Sequence, residues 1–329
     1  MNFPLDALEA CWHGAISLEK TAEYVRPWRI PFQDRALFPP AMLAAASTQA
    51  GVRLAFDSDT CRVAGEIVPL EGNQKLELFV NGCLVETVDL SGKDFFAFEG
   101  LEAGEKRLEL WLPQRGDFAL KRFEIDDNAT LRPFEDSRPR WVTYGSSITH
   151  CRAASSPSRT WPGIVAQTQN WNHTNLGYGG QCHLDPQMAR LIRDLPADYL
   201  SICAGINIYS GPSLNQRSFR PALIGTIQII REKHPTTPLL VISPIYSHPR
   251  ETNPNSQGWT LPDYRAAVEE AVETLRAHGD ENVHYLSGLK IAGEECDPLM
   301  PDRLHPDAEG CEVMAQNFLR YAVPILTGS

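Results

Sequence analysis

The second half of the chain alternates between short apolar stretches and longer helical stretches, starting near Ser137. Five stretches are typical of buried strands, and each is followed by a helical pattern. The strands are expected at 141–144, in a stretch that ends with residues 175–180, and at 198–207, 238–246 and 283–288. The helices are expected at 161–168, 186–195, 213–233, 262–277 and 306–322. Consecutive parallel strands need a crossover, which is usually a helix. The pattern therefore predicts an α/β fold: a doubly wound, five-stranded parallel sheet with helices on both faces.

The first part of the chain has a different pattern, which predicts an all-β domain. Short, partly alternating stretches lie at 52–58, 75–90, 95–100 and 106–113, separated by turn residues. Asn81-Gly82 is a strong signal for a two-residue hairpin turn. This spacing of strands is typical of a sandwich or jelly roll. A chain of 329 residues has room for two domains of ordinary size, so we predict one at 1–135 and another at 136–329.

Charge and cysteine usage narrow the classes of partner and compartment. The formal net charge of −11 disfavours nucleic acid and anionic membrane surfaces as partners, because binding them requires clustered Lys and Arg. The N-terminus has no basic segment followed by an apolar run, so no secretory signal is predicted. The eight cysteines are scattered singly without zinc-type spacing, which predicts free thiols in a reducing cytosol and no metal site. The sequence leaves the oligomeric state open.

Chemically useful residues recur where the predicted parallel strands end. Ser147 follows the first strand, Gly180 the second and Asn207 the third, while Asp302 and His305 lie in the loop after the fifth. In a sheet of strand order 2-1-3-4-5, the flavodoxin-like order, these ends gather around the crevice beside the first strand. We therefore expect the five residues to meet.

Three of these residues have the chemistry of a nucleophilic hydrolase. The spacing of three lets the Asp302 carboxylate reach one nitrogen of His305 while the other nitrogen faces a hydroxyl, such as that of Ser147. Pro306 is suited to the first position of the helix that follows. The alternatives are that the two serines at 146 and 147 form only a polar turn, and that Asp302 and His305 mark only an exposed helix entry.

Two further residues could stabilise a developing oxyanion. The amide group of Asn207 is a donor at the end of an apolar strand, and the backbone N–H of Gly180 can be approached closely because glycine has no side chain. The alternatives are that the Asn207 side chain caps a loop and that the glycines at 177, 179 and 180 form a flexible turn.

Taken together, the sequence resembles the SGNH (GDSL-type) esterases and acyltransferases. Four blocks occur in the family's order between residues 140 and 322: GSSIT at 145–149, NLGYGG at 175–180, GIN at 205–207 and DRLH at 302–305. The N-terminal domain is similar to that of a branch with a β-sandwich, which includes carbohydrate esterases and acyl-transferring enzymes. The sequence departs from the family's usual pattern at Ser146 and Ile208, where many members carry Asp.

The resemblance implies a role for each matched residue and no cofactor. Ser147 would be the nucleophile, Asp302 and His305 would complete the triad, and Gly180 and Asn207 would form the oxyanion hole with the Ser147 N–H. The departure at Ser146 leaves a choice between two adjacent serines, and the register favours Ser147.

Several residues near these blocks are weaker candidates. Tyr178, Tyr209, Trp161 and Arg303 could line a substrate pocket, although core packing is at least an equal alternative for Trp161 and Tyr178. His150 and His183 flank the proposed site, where we expect solvent-facing loop histidines without a catalytic role.

The sequence therefore predicts a cytoplasmic serine esterase without metal or organic cofactor. Its substrate would be a small-molecule ester, most specifically an acetyl ester of a carbohydrate or other small polyol. One alternative is an acyltransferase that moves the acyl group onto a metabolite hydroxyl. An alternative from another class is a non-catalytic glycan-binding protein.

Overall fold

A computed structural model describes residues 2–328 and divides into two compact units. The first comprises the residues up to Ser137 together with Ser156–Ser158. The second comprises Arg138–Ser155 and the residues from Arg159 onward. Within residues 2–328, no helix has both the length and the apolar character that crossing a bilayer requires.

The first unit is a sandwich of two antiparallel sheets. One sheet has the order β3-β4-β11-β6-β9 with β1 beside β11, and the other has the order β12-β5-β10-β7-β8 with β2 beside β5. Buried residues of both sheets, including Phe56, Leu78, Phe98 and Phe123, form one hydrophobic cluster between them. The strands are β1 (Asn2–Phe3), β2 (Trp12–His13), β3 (Ser17–Lys20), β4 (Val25–Trp28), β5 (Arg53–Ser58), β6 (Val63–Ile67), β7 (Lys75–Val80), β8 (Cys83–Asp89), β9 (Phe95–Phe98), β10 (Lys106–Trp111), β11 (Leu120–Ile125) and β12 (Leu131–Pro133).

The predicted all-β character of this unit is confirmed. Asn81 and Gly82 join β7 to β8 with positive φ angles of 50° and 81°, the combination that a tight hairpin turn requires. The unit also contains elements that the sequence patterns did not predict: helix α1 (Pro40–Ala46) and 3₁₀ segments at Leu5–Cys11 and Phe32–Leu37.

The second unit contains a five-stranded parallel sheet. Its order, β14-β13-β15-β16-β17, is the predicted 2-1-3-4-5. Gly145 at the end of the first strand lies opposite Gly177 at the end of the second, so the loops that follow both strands start side by side. The strands are β13 (Arg140–Gly145), β14 (Asn172–Gly177), β15 (Tyr199–Cys203), β16 (Leu239–Ile242) and β17 (Val283–Leu286).

The helices of this unit form two groups, as expected of a doubly wound sheet. One group packs α3, α9 and α10 together, and the other packs α4, α6 and α8 together. The helices are α2 (Ser147–His150), α3 (Trp161–Gln169), α4 (Pro186–Asp194), α5 (Ile206–Ser210), α6 (Phe219–Arg231), α7 (His248–Thr252), α8 (Leu261–Ala277), α9 (Ala308–Tyr321) and α10 (Val323–Thr327).

Two predicted helix starts are too early. Helix α6 begins at Phe219 because the side chains of Asn215 and Ser218 hydrogen-bond to nearby backbone and hold the preceding residues in a turn. Helix α9 begins at Ala308, where the Asp307 side chain accepts a hydrogen bond from Gly310 N and caps the helix. Pro306 therefore precedes the cap and is not the first helical residue.

Candidate active site

The turn after β13 places two adjacent serines in different environments. Ser146 is the N-cap of α2, and its buried Oγ accepts a hydrogen bond from Ile148 N at 3.2 Å. Ser147 is the first residue of α2 and is only half-buried. Gly145 permits the turn, because a Cβ at that position would lie 2.1 Å from Thr149 Oγ1. Ser146 thus stabilises the turn, and Ser147 presents the accessible hydroxyl.

Ser147, His305 and Asp302 form a continuous chain of hydrogen bonds. Ser147 Oγ lies 2.7 Å from His305 Nε2, and His305 Nδ1 lies 2.6 Å from Asp302 Oδ2. With a proton on Nδ1, the ring donates to the carboxylate and its Nε2 accepts from the serine hydroxyl. The arrangement is that of a nucleophile, a base and the group that orients the base.

The loop at Asp302 fixes its carboxylate from two sides. Oδ1 accepts hydrogen bonds from Leu304 N at 3.0 Å and His305 N at 2.7 Å, which leaves Oδ2 for the imidazole. Burial raises the pKa of the Asp302 carboxyl, but the backbone and side-chain hydrogen bonds from His305 outweigh this and lower the pKa overall. The carboxylate is therefore ionised throughout the neutral range.

Two buried contacts hold α2 in place. Trp161 Nε1 donates to Ile148 O at 2.9 Å, and the Cys151 and Cys311 sulfurs lie 2.8 Å apart. Cys311 lies on α9, shortly after His305, so this contact joins the helix of Ser147 to the segment that follows the imidazole. Trp161 is 1% exposed, so of its two predicted roles, pocket lining and core packing, the structure supports core packing.

Asn207 lies at the start of α5 with its amide orientation fixed by the loop after β14. Its Oδ1 accepts a hydrogen bond from Cys182 N at 2.9 Å, so Nδ2 is left as the donor. Asn207 is 8% exposed, so the residue is largely shielded from water. The amide is therefore oriented to donate, which is what an oxyanion requires.

The glycine-rich loop runs beside the nucleophile. A Cβ added to Gly179 would lie 3.8 Å from Ser147 Cβ, and one added to Gly177 would lie 2.3 Å from His150 N. Gly180 is exposed and has a φ of +72°, a conformation that residues with side chains rarely adopt. Open space surrounds the position of its missing Cβ, so the constraint at Gly180 is its backbone angle.

His183 supports this loop, a role that the sequence analysis missed. Its Nε2 lies 2.9 Å from Gly180 O, and its Nδ1 lies 2.7 Å from Ser213 Oγ. Because a carbonyl only accepts, Nε2 carries the proton and donates to Gly180. The side chain thus links the glycine loop to the loop after α5. His150 also differs from expectation: it is 1% exposed and does not face solvent.

The other three candidates for lining a substrate pocket lie in different environments. Tyr178 is completely buried, so its prediction as a substrate contact is corrected to core packing. Tyr209 is half-buried, and its hydroxyl donates to Asn253 O at 2.8 Å. Arg303 is exposed, with a φ of +58°, between Asp302 and His305.

Within residues 2–328, no group of three or more His, Cys, Asp or Glu side chains is arranged to hold a metal ion. The expectation that the reaction needs no cofactor stays a prediction.

We expect Asn207→Ala to lower kcat by about 10²- to 10³-fold, the usual cost of losing one oxyanion donor. The measurement is steady-state hydrolysis of a short-chain aryl ester, with thermal unfolding followed in parallel. Asn207→Asp is the matched variant, because it keeps an oxygen for Cys182 N and replaces the amide donor with a carboxylate oxygen, whose negative charge also opposes an oxyanion. A rate within a few-fold of the parent in both variants would remove Asn207 from the oxyanion hole.

Comparisons with known proteins agree with this geometry. Residues 139–322 match the model of the GDSL-like lipase/acylhydrolase family, and residues 10–121 match that of the SsfX3 N-terminal domain. A search of curated protein sequences found no match.

Three solved structures illustrate the similarity. The salicylyl-acyltransferase SsfX3 from a tetracycline biosynthetic pathway is 36% identical, with 95% of this chain and 94% of that chain covered and a TM-score of 0.88. A GDSL-like protein from Bacteroides ovatus ATCC 8483 is 19% identical, with 99% and 98% covered and a TM-score of 0.79. A family two carbohydrate esterase from Clostridium thermocellum is 16% identical, with 85% and 94% covered and a TM-score of 0.63. The last two show the fold alone.

Proposed function

Because the chain belongs to the GDSL-like lipase/acylhydrolase family, we propose that it is a serine esterase that works through an acyl-serine at Ser147. The observation that carries the proposal is the pair of hydrogen bonds from Ser147 through His305 to Asp302, of 2.7 and 2.6 Å. The proposed substrate is a small acyl ester, such as an acetyl ester, of a carbohydrate or other small polyol.

Acylation follows from the positions of the side chains. His305 Nε2 takes the proton of Ser147 Oγ as the oxygen attacks the ester carbonyl, and the Asp302 carboxylate stabilises the imidazolium that forms. The resulting oxyanion accepts hydrogen bonds from Ser147 N, Gly180 N and Asn207 Nδ2. When the tetrahedral intermediate collapses, the C–O bond to the alcohol breaks and His305 returns the proton to the leaving alcohol.

Hydrolysis completes the cycle in this proposal. His305 removes a proton from a water molecule that attacks the acyl-serine, and the acid departs as Ser147 regains its proton. The side chains of His305 and Asp302 are 39% and 56% exposed, so water has direct access to the base. This exposure supports hydrolysis as the fate of the acyl group.

A second candidate is acyl transfer to an alcohol. It is favoured by the 36% identity to a salicylyl-acyltransferase over 95% of the chain, including the N-terminal unit. Transfer requires an acceptor that outcompetes concentrated water, which bound proximity can achieve with effective molarities of about 10⁵ M or more.

The test is to acylate the enzyme with activated esters and to map the label by intact mass and peptide analysis. The partitioning of the acyl group between water and added alcohols is then measured. Hydrolysis predicts that free acid stays the main product when sugars and polyols are added at millimolar levels. Capture of most of the acyl group by one acceptor would replace hydrolysis with transfer. No acyl-enzyme with any ester would overturn both and favour the glycan-binding alternative.

Compartment and partners are also proposals. The eight free cysteines support a reducing compartment such as the cytoplasm, and the net charge of −11 supports a small molecule as the partner rather than nucleic acid.

A further inference from the structure

The second unit contains an open groove of about 440 Å³, and Arg250 in its lining donates a hydrogen bond to Arg303 O in the loop of the candidate triad. One wall is formed by Tyr209, near the end of the helix that begins beside Asn207, and another by Pro249 and Arg250 of α7. The Tyr209 hydroxyl donates to Asn253 O at 2.8 Å, which ties the two walls together. The groove is therefore formed before any ligand binds, and its volume suits a small molecule.

Arg250 is held against the loop that carries the triad. Its Nη1 donates to Ser247 Oγ at 2.8 Å and to Arg303 O at 3.2 Å. Ser247 Oγ itself donates to the same carbonyl at 2.6 Å. Because Arg303 lies between Asp302 and His305, these bonds fix the guanidinium next to the catalytic loop.

One edge of this guanidinium remains available. Both Nη1 hydrogens are used, and within residues 2–328 no group accepts a hydrogen bond from Arg250 Nε or Nη2. Nε and Nη2 form the edge that binds a carboxylate or phosphate through two parallel hydrogen bonds. A fixed, half-buried guanidinium with that edge unused is suited to an anionic ligand.

The nearest acid in sequence does not neutralise Arg250. Glu251 is bound by Arg265, whose Nη1 and Nη2 donate to its two oxygens at 2.8 and 2.6 Å. Over the part of the chain that the structure describes, Arg250 has no carboxylate within 4.0 Å. This is notable in a protein with 41 acidic and 30 basic residues, where acids are the more numerous charges.

We propose that the groove binds an anionic oxygen group, a carboxylate or phosphate, on the leaving alcohol of the ester, and that Arg250 is its ligand. The assignment to the leaving alcohol follows from the proton path, because His305 Nε2 protonates that group and Arg250 contacts the loop of His305. The proposal rests on the proposed function and makes it more specific: the preferred polyol ester carries a negative charge.

The test compares aryl acetates that differ only in the leaving group. The anionic substrates are meta-carboxyphenyl acetate and meta-phosphonooxyphenyl acetate, and the neutral one is meta-hydroxymethylphenyl acetate. We expect kcat/KM to be higher for one or both anionic esters. In Arg250→Gln, the ratio of anionic to neutral kcat/KM should fall by about 10- to 100-fold, since hydrogen bonds to charged groups contribute about 1.5–3 kcal/mol. The two anionic substrates distinguish carboxylate from phosphate.

The ratio of anionic to neutral kcat/KM distinguishes binding of the anion by Arg250 from positioning of the His305 loop by Arg250. If Arg250 only positions the His305 loop, Arg250→Gln lowers all three rates together and leaves the ratio unchanged, which overturns the proposal. The matched control is Arg190→Gln, which removes an exposed arginine of α4 and should leave the ratio as in the parent.

Two other outcomes are informative. One is a preference for a phenyl ester that carries the carboxylate on the acyl side, such as phenyl hydrogen succinate. If Arg250→Gln loses this preference, the assignment to the leaving alcohol is overturned. Equal parent kcat/KM for anionic and neutral acetates would overturn the proposal while leaving the proposed function intact, because ester turnover and labelling of Ser147 report on that function separately.

Discussion

Ser147→Ala is expected to abolish labelling by a fluorophosphonate and to lower turnover of a short-chain aryl ester by about 10⁶-fold. The substitution removes the hydroxyl that lies 2.7 Å from His305 Nε2. Without it, the proposed oxyanion donors would still polarise a carbonyl, but no covalent intermediate is expected. The measurements are steady-state kinetics and intact mass after exposure to the probe.

Ser146→Ala is the matched control for this result. It removes the neighbouring hydroxyl, which caps α2 through Ile148 N and faces the protein interior. The expected effect is on stability, about 1 kcal/mol for a lost N-cap, with labelling retained. A label that maps to Ser146 would contradict the assignment and would require a different arrangement of the turn.

The sequence predicted the α/β fold because its signals are local and repeated. Most strands of the second unit contain a short apolar run, such as Leu239–Ile242, and its longest helix has cap residues at both ends, with Thr260 before α8 and Gly279 after it. Chemistry at the carboxyl ends of parallel strands follows from that topology. The sequence alone therefore predicts that Ser147, Asn207 and the His305 loop meet.

The parts that sequence reasoning missed depend on contacts between distant segments. His183 bonds to Gly180 nearby but also to Ser213 across two loops, and nothing in the sequence marks that second partner. Arg250 is one of many arginines, and only its fixed Nη1 and its unused edge set it apart. Tyr178 failed as a substrate contact because a residue beside a glycine block can point inward as readily as outward.

The N-terminal unit also combines parts that local sequence signals predict with parts that depend on contacts between distant segments. Its later strands alternate clearly, and the Asn81-Gly82 turn fixes one register. The first fifty residues contain short strands and 3₁₀ turns that pair with distant strands, such as β1 with β11 and β2 with β5. Strands of two residues have too little periodicity to be recognised, and their existence depends on the sheet that they join.

Asp302→Asn is expected to lower kcat by about 10³- to 10⁴-fold while leaving the fold of the loop intact. Oδ1 of the new side chain still accepts hydrogen bonds from Leu304 N and His305 N, so the amide nitrogen takes the position of Oδ2. That nitrogen donates to His305 Nδ1 and stabilises the tautomer with its proton on Nε2. An Nε2 that carries a proton cannot accept one from Ser147, so the base is lost without a change in shape.

The pH dependence tests the same argument. In the parent, hydrogen bonding lowers the pKa of Asp302, so its carboxylate stays ionised as the pH falls through the range in which a free aspartate would take up a proton. Loss of kcat through protonation of Asp302 is therefore expected only at a pH below that range. In Asp302→Asn, position 302 carries no titratable group, so the loss of kcat that protonation of this carboxyl causes in the parent at acidic pH should be absent when kcat is measured against pH.

Asp307→Asn is the control that isolates the role of position 302. Asp307 is five residues further along and also accepts a backbone hydrogen bond, from Gly310 N, as the N-cap of α9. Asparagine caps helices about as well as aspartate, so this variant should keep its rate and pH profile. If Asp302→Asn retained activity within tenfold of the parent, with an unshifted profile, the carboxylate would not orient the base. The 2.6 Å contact with His305 would then be a feature of the loop alone.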